Sequence, residues 1–316
     1  MDYHLRLPPG VLTARAPSSG VPVERTFDAM GTWCHAVLRG VDSSMLDDVE
    51  SDVAELQALW SRFEEDSELS RLNARPGVPR RVSAATRQLA QRALIGWRLS
   101  GGLFDPFQAD RMAAVGYGRD FDELEPVRRP VAARRRSLSA RPVVIDRKHN
   151  TLTVAAGAGL DSGGIGKGFA ADLVAVRALA RGATGALVNL GGDLRCVGLA
   201  PEGGWRISLD DAWRPGEPSD VTIKLQEGSI CTSSPLRRSW SYSDGSRGNH
   251  LLDPRTGLSV GDRIAAVSVI APQGWLAEVL TKTLLLAPRR RAAALLRRHQ
   301  AGAVITYRDG ARVQLP

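Results

Sequence analysis

Apolar residues recur three or four positions apart in several stretches of the chain, a spacing that places them on one face of a helix. Between residues 43 and 63 they fall at Met45, Val49, Val53, Leu56 and Trp60, after serines that can cap a helix. This pattern predicts a helix over residues 43–63. The same spacing predicts further helices at residues 83–99, 168–180, 275–286 and 289–299.

Short apolar or alternating stretches predict strands between and after these helices. They lie at residues 27–38, 186–189 and 264–270, in several pieces between 205 and 232, and in hairpins at 143–155 and 303–315. Polar residues 64–77 predict a turn, and residues 127–142 an exposed loop or short insertion. The mixture indicates an α+β fold, with helices packed on largely antiparallel sheets.

A chain of 316 residues can bury a large core, as one domain or as two intimate lobes. We predict a flexible arm over residues 1–24 and a single domain over residues 25–316. No apolar run is long enough to cross a bilayer, and the first residues lack the apolar core of a signal peptide. The expected location is therefore the cytoplasm.

The formal net charge is +8. Much of the excess arginine lies in local runs, such as residues 134–136 and 289–291. These runs contain no interleaved aromatic residues and match no nucleic-acid-binding module, so we interpret them as solvated surface and rank nucleic-acid binding last. A basic surface also suits an anionic ligand. Charge alone does not identify one.

The densest chemical signal is LDSGGIGKGFAAD at residues 160–172. Its glycines allow close backbone approach to a ligand, and Lys167 stands where the following helix begins, a place that favours anions. The segment is not a Walker A loop, which requires Gly at Asp161 and Ser or Thr at Gly168. A phosphate cradle and a purely structural turn are equally consistent with it.

Three further segments are ambiguous when each is taken alone. VNLGGD at residues 188–193 is typical of a tight turn with a capping side chain. NHLLDPRTG at residues 249–257 contains His250, which is either a general base or a structural histidine. Glu278 and Lys282 lie four apart on one predicted helix, the spacing of an ordinary surface ion pair.

The order of eight segments is more informative than any one of them. They are FDAMGT, SRFEEDSELSRLN, GGLFDPF, LDSGGIGKGFAAD, NLGGD, CTSS, NHLLDPRTG and LAEVLTK. Together they span residues 27 to about 286, and their succession resembles that of the ApbE family of flavin transferases. The resemblance implies the ApbE-like, T-fold-like form of the α+β class.

The resemblance also implies an activity. Members of the family bind FAD in an extended groove, cleave its pyrophosphate with a divalent metal, attach FMN to a Ser or Thr hydroxyl of an acceptor protein, and release AMP. The expected partners are thus FAD, Mg²⁺ and an acceptor protein with a Ser/Thr flavinylation motif, which the sequence does not identify. Hydrolysis of FAD to FMN and AMP, and FAD binding without catalysis, are the alternatives.

The family's site residues are carried over one position at a time. Met30 matches its flavin-side methionine, and Phe63 the aromatic residue that lines its FAD pocket. Leu103, Phe104 and Asp105 match a stretch that contacts FAD. Asp161 matches an adenine-side contact and Lys167 a phosphate-side contact. Gly164 matches a glycine whose carbonyl ligates the metal, and His250 the histidine proposed to activate the acceptor hydroxyl.

One position departs from the family pattern. The family usually has Asp and Thr, four residues apart on the late helix, as oxygen ligands to magnesium. Here Glu278 and Lys282 occupy those positions, and a charged lysine cannot ligate a metal. Two explanations follow: Mg²⁺ binds through Gly164, Glu278 and water, or the Lys282 ammonium replaces the metal. The neighbouring Thr281 is a further candidate contact to the FAD phosphates.

Overall fold

The computed structural model describes residues 21–118, 137, 140–209 and 221–316, together with the backbone of residues 2–3. Most of the predicted arm (1–24) and of the predicted loop (127–142) lies outside these residues, so both stay predictions. The helices are α1 (Met45–Trp60), α2 (Glu68–Asn73), α3 (Ala84–Leu99), α4 (Ala109–Ala114), α5 (Gly166–Ala180), α6 (Gly274–Leu286) and α7 (Arg289–Arg298).

The strands in chain order are β1 (Asp2–Tyr3), β2 (Val23–Ala29), β3 (Thr32–Arg39), β4 (Arg80–Arg81), β5 (Val143–Asp146), β6 (Thr151–Val154), β7 (Gly185–Leu190), β8 (Asp193–Gly198), β9 (Trp205–Ser208), β10 (Thr222–Leu225), β11 (Gly228–Ser233), β12 (Ser239–Ser241), β13 (Arg247–Asn249), β14 (Leu252–Asp253), β15 (Leu258–Ser259), β16 (Ile264–Ala271), β17 (Gly302–Tyr307) and β18 (Arg312–Leu315). All five predicted helices are present, each within a few residues of its expected bounds.

Eight strands form the main sheet in the order β18-β17-β16-β11-β8-β7-β3-β2. Every neighbouring pair in it is antiparallel. The smaller sheets are β1-β10-β9, β4-β6-β5, β12-β13 and β14-β15. The α+β class with largely antiparallel sheets is therefore confirmed.

Both faces of the main sheet are covered. Helices α5 and α6 pack against its central strands on one side. On the other, the alternating apolar residues of β9 and β10 pack against residues such as Leu187, Cys196 and Ile270. Strand β16 is consequently buried along almost its whole length, and its sequence is apolar except for Ser268, as expected of a strand buried on both faces. In the described ranges, no helix has the length and apolar character needed to cross a membrane.

Two glycines allow the central helices α5 and α6 to cross at close range. A Cβ atom at Gly168 would lie 2.5 Å from the carbonyl oxygen of Gly274, and one at Gly274 would collide with the backbone of Gly168. Both helices begin near this crossing. Asp172 of α5 strengthens it, because its carboxylate accepts hydrogen bonds from the amides of Gly274 (2.8 Å) and Trp275 (3.0 Å). The crossing brings the start of α5 against the side of α6.

Two predicted segments were wrong in detail. The single strand at residues 27–38 is a hairpin of β2 and β3, because Met30 (φ 53°) and Gly31 (φ 64°) both adopt the left-handed conformation of a tight two-residue turn. The polar turn at residues 64–77 contains helix α2. Ser67 caps that helix by accepting a hydrogen bond from the Ser70 amide at 2.9 Å.

Candidate functional site

A cavity of about 330 Å³ opens where the predicted motifs converge. Its volume lies within the range of small-molecule sites. Ten of the twelve residues singled out from the sequence line it: Met30, Phe63, Leu103, Phe104, Asp105, Asp161, Gly164, Lys167, His250 and Lys282. The other two, Glu278 and Thr281, lie behind its wall. Segments more than two hundred residues apart thus contribute to one cavity.

The tip of the β2–β3 hairpin forms one side of the cavity and is held from two directions. The Met30 amide donates a hydrogen bond to the Gln57 side-chain oxygen. The Gly31 carbonyl accepts one from the guanidinium of Arg238 at 3.1 Å. A left-handed conformation is uncommon for methionine. These two contacts fix the turn that brings Met30 to the cavity.

Aromatic and guanidinium groups stack at the cavity wall. The Phe63 ring, 41% exposed, lies edge-on to Tyr117 at 6.1 Å between ring centroids. The Arg62 guanidinium lies 4.7 Å from the centroid of Phe63 and 4.3 Å from that of Tyr117. Tyr117 in turn stacks on Trp240 at 5.8 Å. The partly exposed Phe63 ring is suited to contact with a planar ring system.

The loop after α3 contributes a buried part of the wall. Leu103, Phe104 and Asp105 are each less than 8% exposed. Asp105 caps the turn that follows by accepting a hydrogen bond from the Phe107 amide at 2.9 Å. Gln108, also buried, lines the cavity, and its side-chain oxygen has no hydrogen-bond partner among the described residues. A buried acceptor of this kind is costly unless a ligand donates to it.

The glycine-rich turn places the start of α5 against the cavity. Asp161 holds the turn by accepting a hydrogen bond from the Gly163 amide at 2.8 Å, and it lies 3.6 Å from the Arg62 guanidinium. A Cβ at Gly164 would lie 3.0 Å from the Phe104 ring, so a larger residue would crowd the wall. The helix start carries partial positive charge, which favours an anion here.

Lys167 lies on this wall and pairs with a buried carboxylate. Its ammonium group donates a hydrogen bond to Asp193, whose side chain is 3% exposed. Burial by itself would raise the pKa of Asp193, but the ammonium groups of Lys167 and Lys282 outweigh it and hold that pKa below its ordinary value. The pKa of Lys167 is raised, because Asp193 and Glu278 overcome the cost of burying its charge. Both groups are therefore charged near neutral pH.

The VNLGGD segment thus does more than form a turn. Its capping side chain is Asn189, which accepts a hydrogen bond from the Gly192 amide at 2.8 Å. Asp193 instead points to Lys167 and also lies 3.4 Å from the Thr232 amide. Asp193 was not singled out as a site residue, because a carboxylate after two glycines is usual in turns and the sequence does not reveal its partner.

Glu278 and Lys282 form a second pair, and the ordinary surface pair that their spacing alone suggested was wrong. Glu278 is fully buried, and the Lys282 side chain is 15% exposed on the cavity wall. The ammonium donates to one Glu278 oxygen at 3.0 Å, and the Gly168 amide donates to the other at 2.8 Å. Burial raises the pKa of Glu278, although Lys282 opposes the rise.

Thr281 does not face the cavity. Its side chain is fully buried, and its hydroxyl lies 2.7 Å from the Ser233 hydroxyl and 2.7 Å from the Glu278 carbonyl. This placement does not favour the predicted contact between Thr281 and the phosphates. It indicates that the hydroxyl joins α6 to β11 and so fixes the part of α6 that presents Lys282.

His250 faces the cavity with its ring oriented by the backbone. Its Nδ1 atom lies 3.3 Å from the Arg238 carbonyl oxygen, which also accepts a hydrogen bond from the His250 amide. A carbonyl only accepts, so Nδ1 carries the proton and Nε2 keeps its lone pair. Burial, followed by the charges of Arg238, Lys282 and Lys167, lowers the pKa of His250 to about 3. The imidazole is neutral near pH 7.

Arg238 joins three parts of the wall and was missed in the sequence, where it is one of many arginines. Its guanidinium donates to the Tyr117 hydroxyl at 2.9 Å and to the Gly31 carbonyl at 3.1 Å. Its own carbonyl holds His250. The single hint in the sequence is its place between the CTSS and NHLLDPRTG segments.

The donor set does not fit a magnesium ion bound through Glu278. Each Glu278 oxygen already accepts a hydrogen bond from the protein, and a lysine ammonium lies against the carboxylate. Within the described ranges, no three His, Cys, Asp or Glu residues are grouped as a metal site would require. Mg²⁺ prefers several oxygen ligands in near-octahedral geometry. Glu278 instead has the Lys282 ammonium group beside it, where a further oxygen ligand would be needed.

The comparisons with known proteins all point to one protein family. The ApbE family matches residues 30–305 of the chain. A FAD:protein FMN transferase from Treponema pallidum is 29% identical over 80% of this chain and 74% of its own length. The Escherichia coli K12 protein of the same name is 25% identical over 89% of this chain and 83% of its own.

Solved structures agree with the sequence relatives. The ApbE protein of Thermotoga maritima superposes with a TM-score of 0.81 at 24% identity, covering 93% of this chain and 97% of its own, and so supports the fold. The apo form of the flavinyl transferase ApbE of Pseudomonas stutzeri superposes with a TM-score of 0.77 at 26% identity, covering 93% of this chain and 95% of its own.

Proposed function

The chain belongs to the ApbE family, and on that basis we propose that it is a FAD:protein FMN transferase, which moves FMN from FAD to a Ser or Thr hydroxyl of an acceptor protein. The observation that carries this proposal is the convergence of His250, Lys167 and Lys282 on one cavity. A general base and two cations beside a helix start match the needs of phosphoryl transfer from an anionic dinucleotide.

The rest of the cavity suits the remainder of FAD. The partly exposed Phe63 ring, which lies edge-on to Tyr117, offers a contact to a planar ring. The Gln108 oxygen, which has no partner in the described part of the chain, can accept a hydrogen bond from one of the N–H groups that the flavin and adenine rings carry. We assign Met30, Leu103, Phe104, Asp105 and Asp161 to the same binding surface.

At phosphorus, the proposed step forms one bond and breaks one. The acceptor hydroxyl oxygen attacks the phosphorus of the FMN half, and the bond from that phosphorus to the bridging oxygen breaks. AMP leaves with the bridging oxygen. The hydroxyl proton passes to Nε2 of His250, whose lone pair is available because Nδ1–H donates to the Arg238 carbonyl.

The charges around His250 set its protonation state. A pKa of about 3 keeps the imidazole neutral near pH 7, and it makes the imidazole a weak base in the free protein. Two of the positive groups that lower this pKa, Lys167 and Lys282, line the cavity in which we place the pyrophosphate. Binding of the dinucleotide brings negative charge to them, and we expect it to raise the pKa of His250 and strengthen it as a base.

The family resemblance implies a divalent metal, and the residues present do not favour one. Glu278 is engaged by Lys282 and Gly168, and Thr281 is turned away from the cavity. A magnesium ion through Gly164 and Glu278 would have to displace the ammonium group. We therefore derive no step through a metal.

The experiment that tests the function incubates the protein with FAD and a peptide that carries a candidate Ser/Thr acceptor motif. We expect AMP release and a gain of the FMN mass on the peptide. His250→Gln should lower the transfer rate by about 10²–10⁴-fold, the usual contribution of a general base. FAD binding, followed by flavin fluorescence, should be retained.

His149→Gln is the matched control. That histidine is exposed, is hydrogen-bonded to Asp146 and does not line the cavity, so its loss should leave transfer unchanged. Free FMN with no mass gain on the peptide would identify a hydrolase. Bound FAD with no AMP at all would contradict both enzymatic activities.

A further inference from the structure

We propose that the ammonium groups of Lys167 and Lys282 neutralise the FAD pyrophosphate in place of a divalent cation, so that this protein transfers FMN without added metal. This inference rests on the proposed function. It is carried by one arrangement: two lysines on the cavity wall, each held from behind by a buried carboxylate.

The two lysines lie on the cavity wall, and their two carboxylate partners lie behind them. Lys167 and Lys282 line the cavity, with side chains 25% and 15% exposed. Asp193 and Glu278 do not line it and are 3% and 0% exposed. An ammonium group has three donors, and each lysine uses one on its carboxylate among the described residues. The remaining donors are available to a ligand in the cavity.

The two charges match the ligand. A pyrophosphate diester such as that of FAD carries two negative charges at neutral pH, one on each phosphate. When the bond between the FMN phosphorus and the bridging oxygen breaks, another negative charge develops on the AMP phosphate. Fixed ammonium groups in a mostly buried site stabilise such developing charge strongly, because water does not have to reorganise around it.

The composition of the chain supports a specific role for these lysines. Only four of its 42 basic residues are lysines, and two of the four, Lys167 and Lys282, line this one cavity. A chain that uses arginine almost everywhere else places the compact ammonium group at these two positions. A lysine behaves as a point charge, whereas the larger planar guanidinium of arginine requires room for its fork of donors.

The test measures AMP release and peptide flavinylation by the wild type with EDTA and with Mg²⁺. We expect the two rates to agree within about threefold, since no ligand set for the metal has to be filled. Lys282→Thr removes the ammonium and frees one Glu278 oxygen. We expect this variant to lose about 10²-fold in EDTA and to regain part of the rate with Mg²⁺.

Two further variants keep the result interpretable. Lys282→Met with Glu278→Gln leaves no unpaired buried charge, and we expect it to fold and to stay inactive with or without Mg²⁺. Lys148→Thr replaces an exposed lysine in the turn between β5 and β6, and we expect wild-type behaviour from it. A wild type inactivated by EDTA and restored by Mg²⁺ would overturn the proposal.

A second measurement separates this inference from the proposed function. Mn²⁺ binding to the FAD complex, followed by electron paramagnetic resonance, does not depend on turnover. We expect the wild-type complex to bind Mn²⁺ no more tightly than free FAD does, and the Lys282→Thr complex to bind it more tightly. Tight Mn²⁺ binding by the wild type overturns the metal-free site whether or not the protein transfers FMN. Absent transfer with the expected Mn²⁺ result contradicts the function alone.

Discussion

The two ends of helix α5 both carry cations paired with carboxylates, but the pairs are built differently. At the carboxyl end, Arg177 and Arg181 contact both oxygens of Asp52 at 2.5–3.0 Å. At the amino end, Lys167 donates to Asp193, and the Gly168 amide donates to Glu278. Asp52 lies between its partners and so completes its cluster. At the amino end the carboxylates lie behind the cations, whose remaining donors face a cavity.

The helix dipole explains what this difference means. Cations near a helix carboxyl end are favoured, and cations near an amino end are disfavoured, each by about 0.3–1 kcal/mol. The arginine cluster is therefore what stability alone would select. The lysine pairs place positive charge where the helix is already positive. Asp193 and Glu278 offset part of this cost from behind the lysines. On the cavity side, no carboxylate among the described lining residues pairs with either lysine, and we infer that this side serves an anionic ligand.

Removing the pair at the amino end should give the largest effect of the comparison. In the double variant Lys167→Met, Asp193→Asn, no unpaired charge is left in the interior. We expect FMN transfer to fall by about 10²–10³-fold, the effect of losing one group that stabilises transition-state charge. The melting temperature should change little. If the variant transfers FMN at a rate within a few-fold of wild type, the pair at the amino end does not serve catalysis, and the contrast with the carboxyl end is wrong.

Breaking the cluster at the carboxyl end should lower stability and leave FMN transfer nearly unchanged. Asp52→Asn removes the buried carboxylate that Arg177 and Arg181 share, and it leaves Arg177 paired with the exposed Glu55. We expect a loss of about 2–3 kcal/mol in the free energy of unfolding. The loss is smaller than for a fully buried pair, because both arginines are about one-third exposed to solvent. Urea titration measures this loss. Well below the melting temperature, transfer should stay within twofold of wild type, and a large drop would show that this end also serves the site.

The middle of the helix allows a finer test. Burial raises the pKa of Asp172 to about 6, against 3.8 for the ordinary group, even though the Gly274 and Trp275 amides oppose the rise. Between these values the folded protein binds a proton that the unfolded chain does not. The contribution to stability is therefore present below pH 4 and lost as the pH rises through 6.

Asp172→Asn removes this titration and keeps a side chain of similar size. We expect the stability of the wild type relative to the variant to fall by about 2 kcal/mol between pH 4.5 and pH 7. Urea titrations of both proteins at the two pH values measure it. A constant difference would show that Asp172 is already ionised at the lower pH.

Much of the fold follows from the sequence. The helices were predicted from the spacing of their apolar residues, and most strands from apolar runs and turn residues. The β2–β3 turn was missed, because Met30 adopts a left-handed conformation that methionine rarely takes and that the local pattern does not signal. Helix α2 was missed, because six residues with two buried leucines are too few to show a periodicity.

The resemblance to the family, the order of the motifs and the residue types available to the site can all be read from the sequence. Tertiary structure alone decided which charges meet. Lys167 and Asp193 are 26 positions apart, and Gly168 and Glu278 are 110 apart. Local patterns report contacts within a few residues, where the backbone geometry is fixed. Contacts between distant segments depend on how the helices pack, here on the crossing of α5 and α6 at Gly168 and Gly274. That packing turned an apparent surface pair into a buried carboxylate and a cation on the cavity wall.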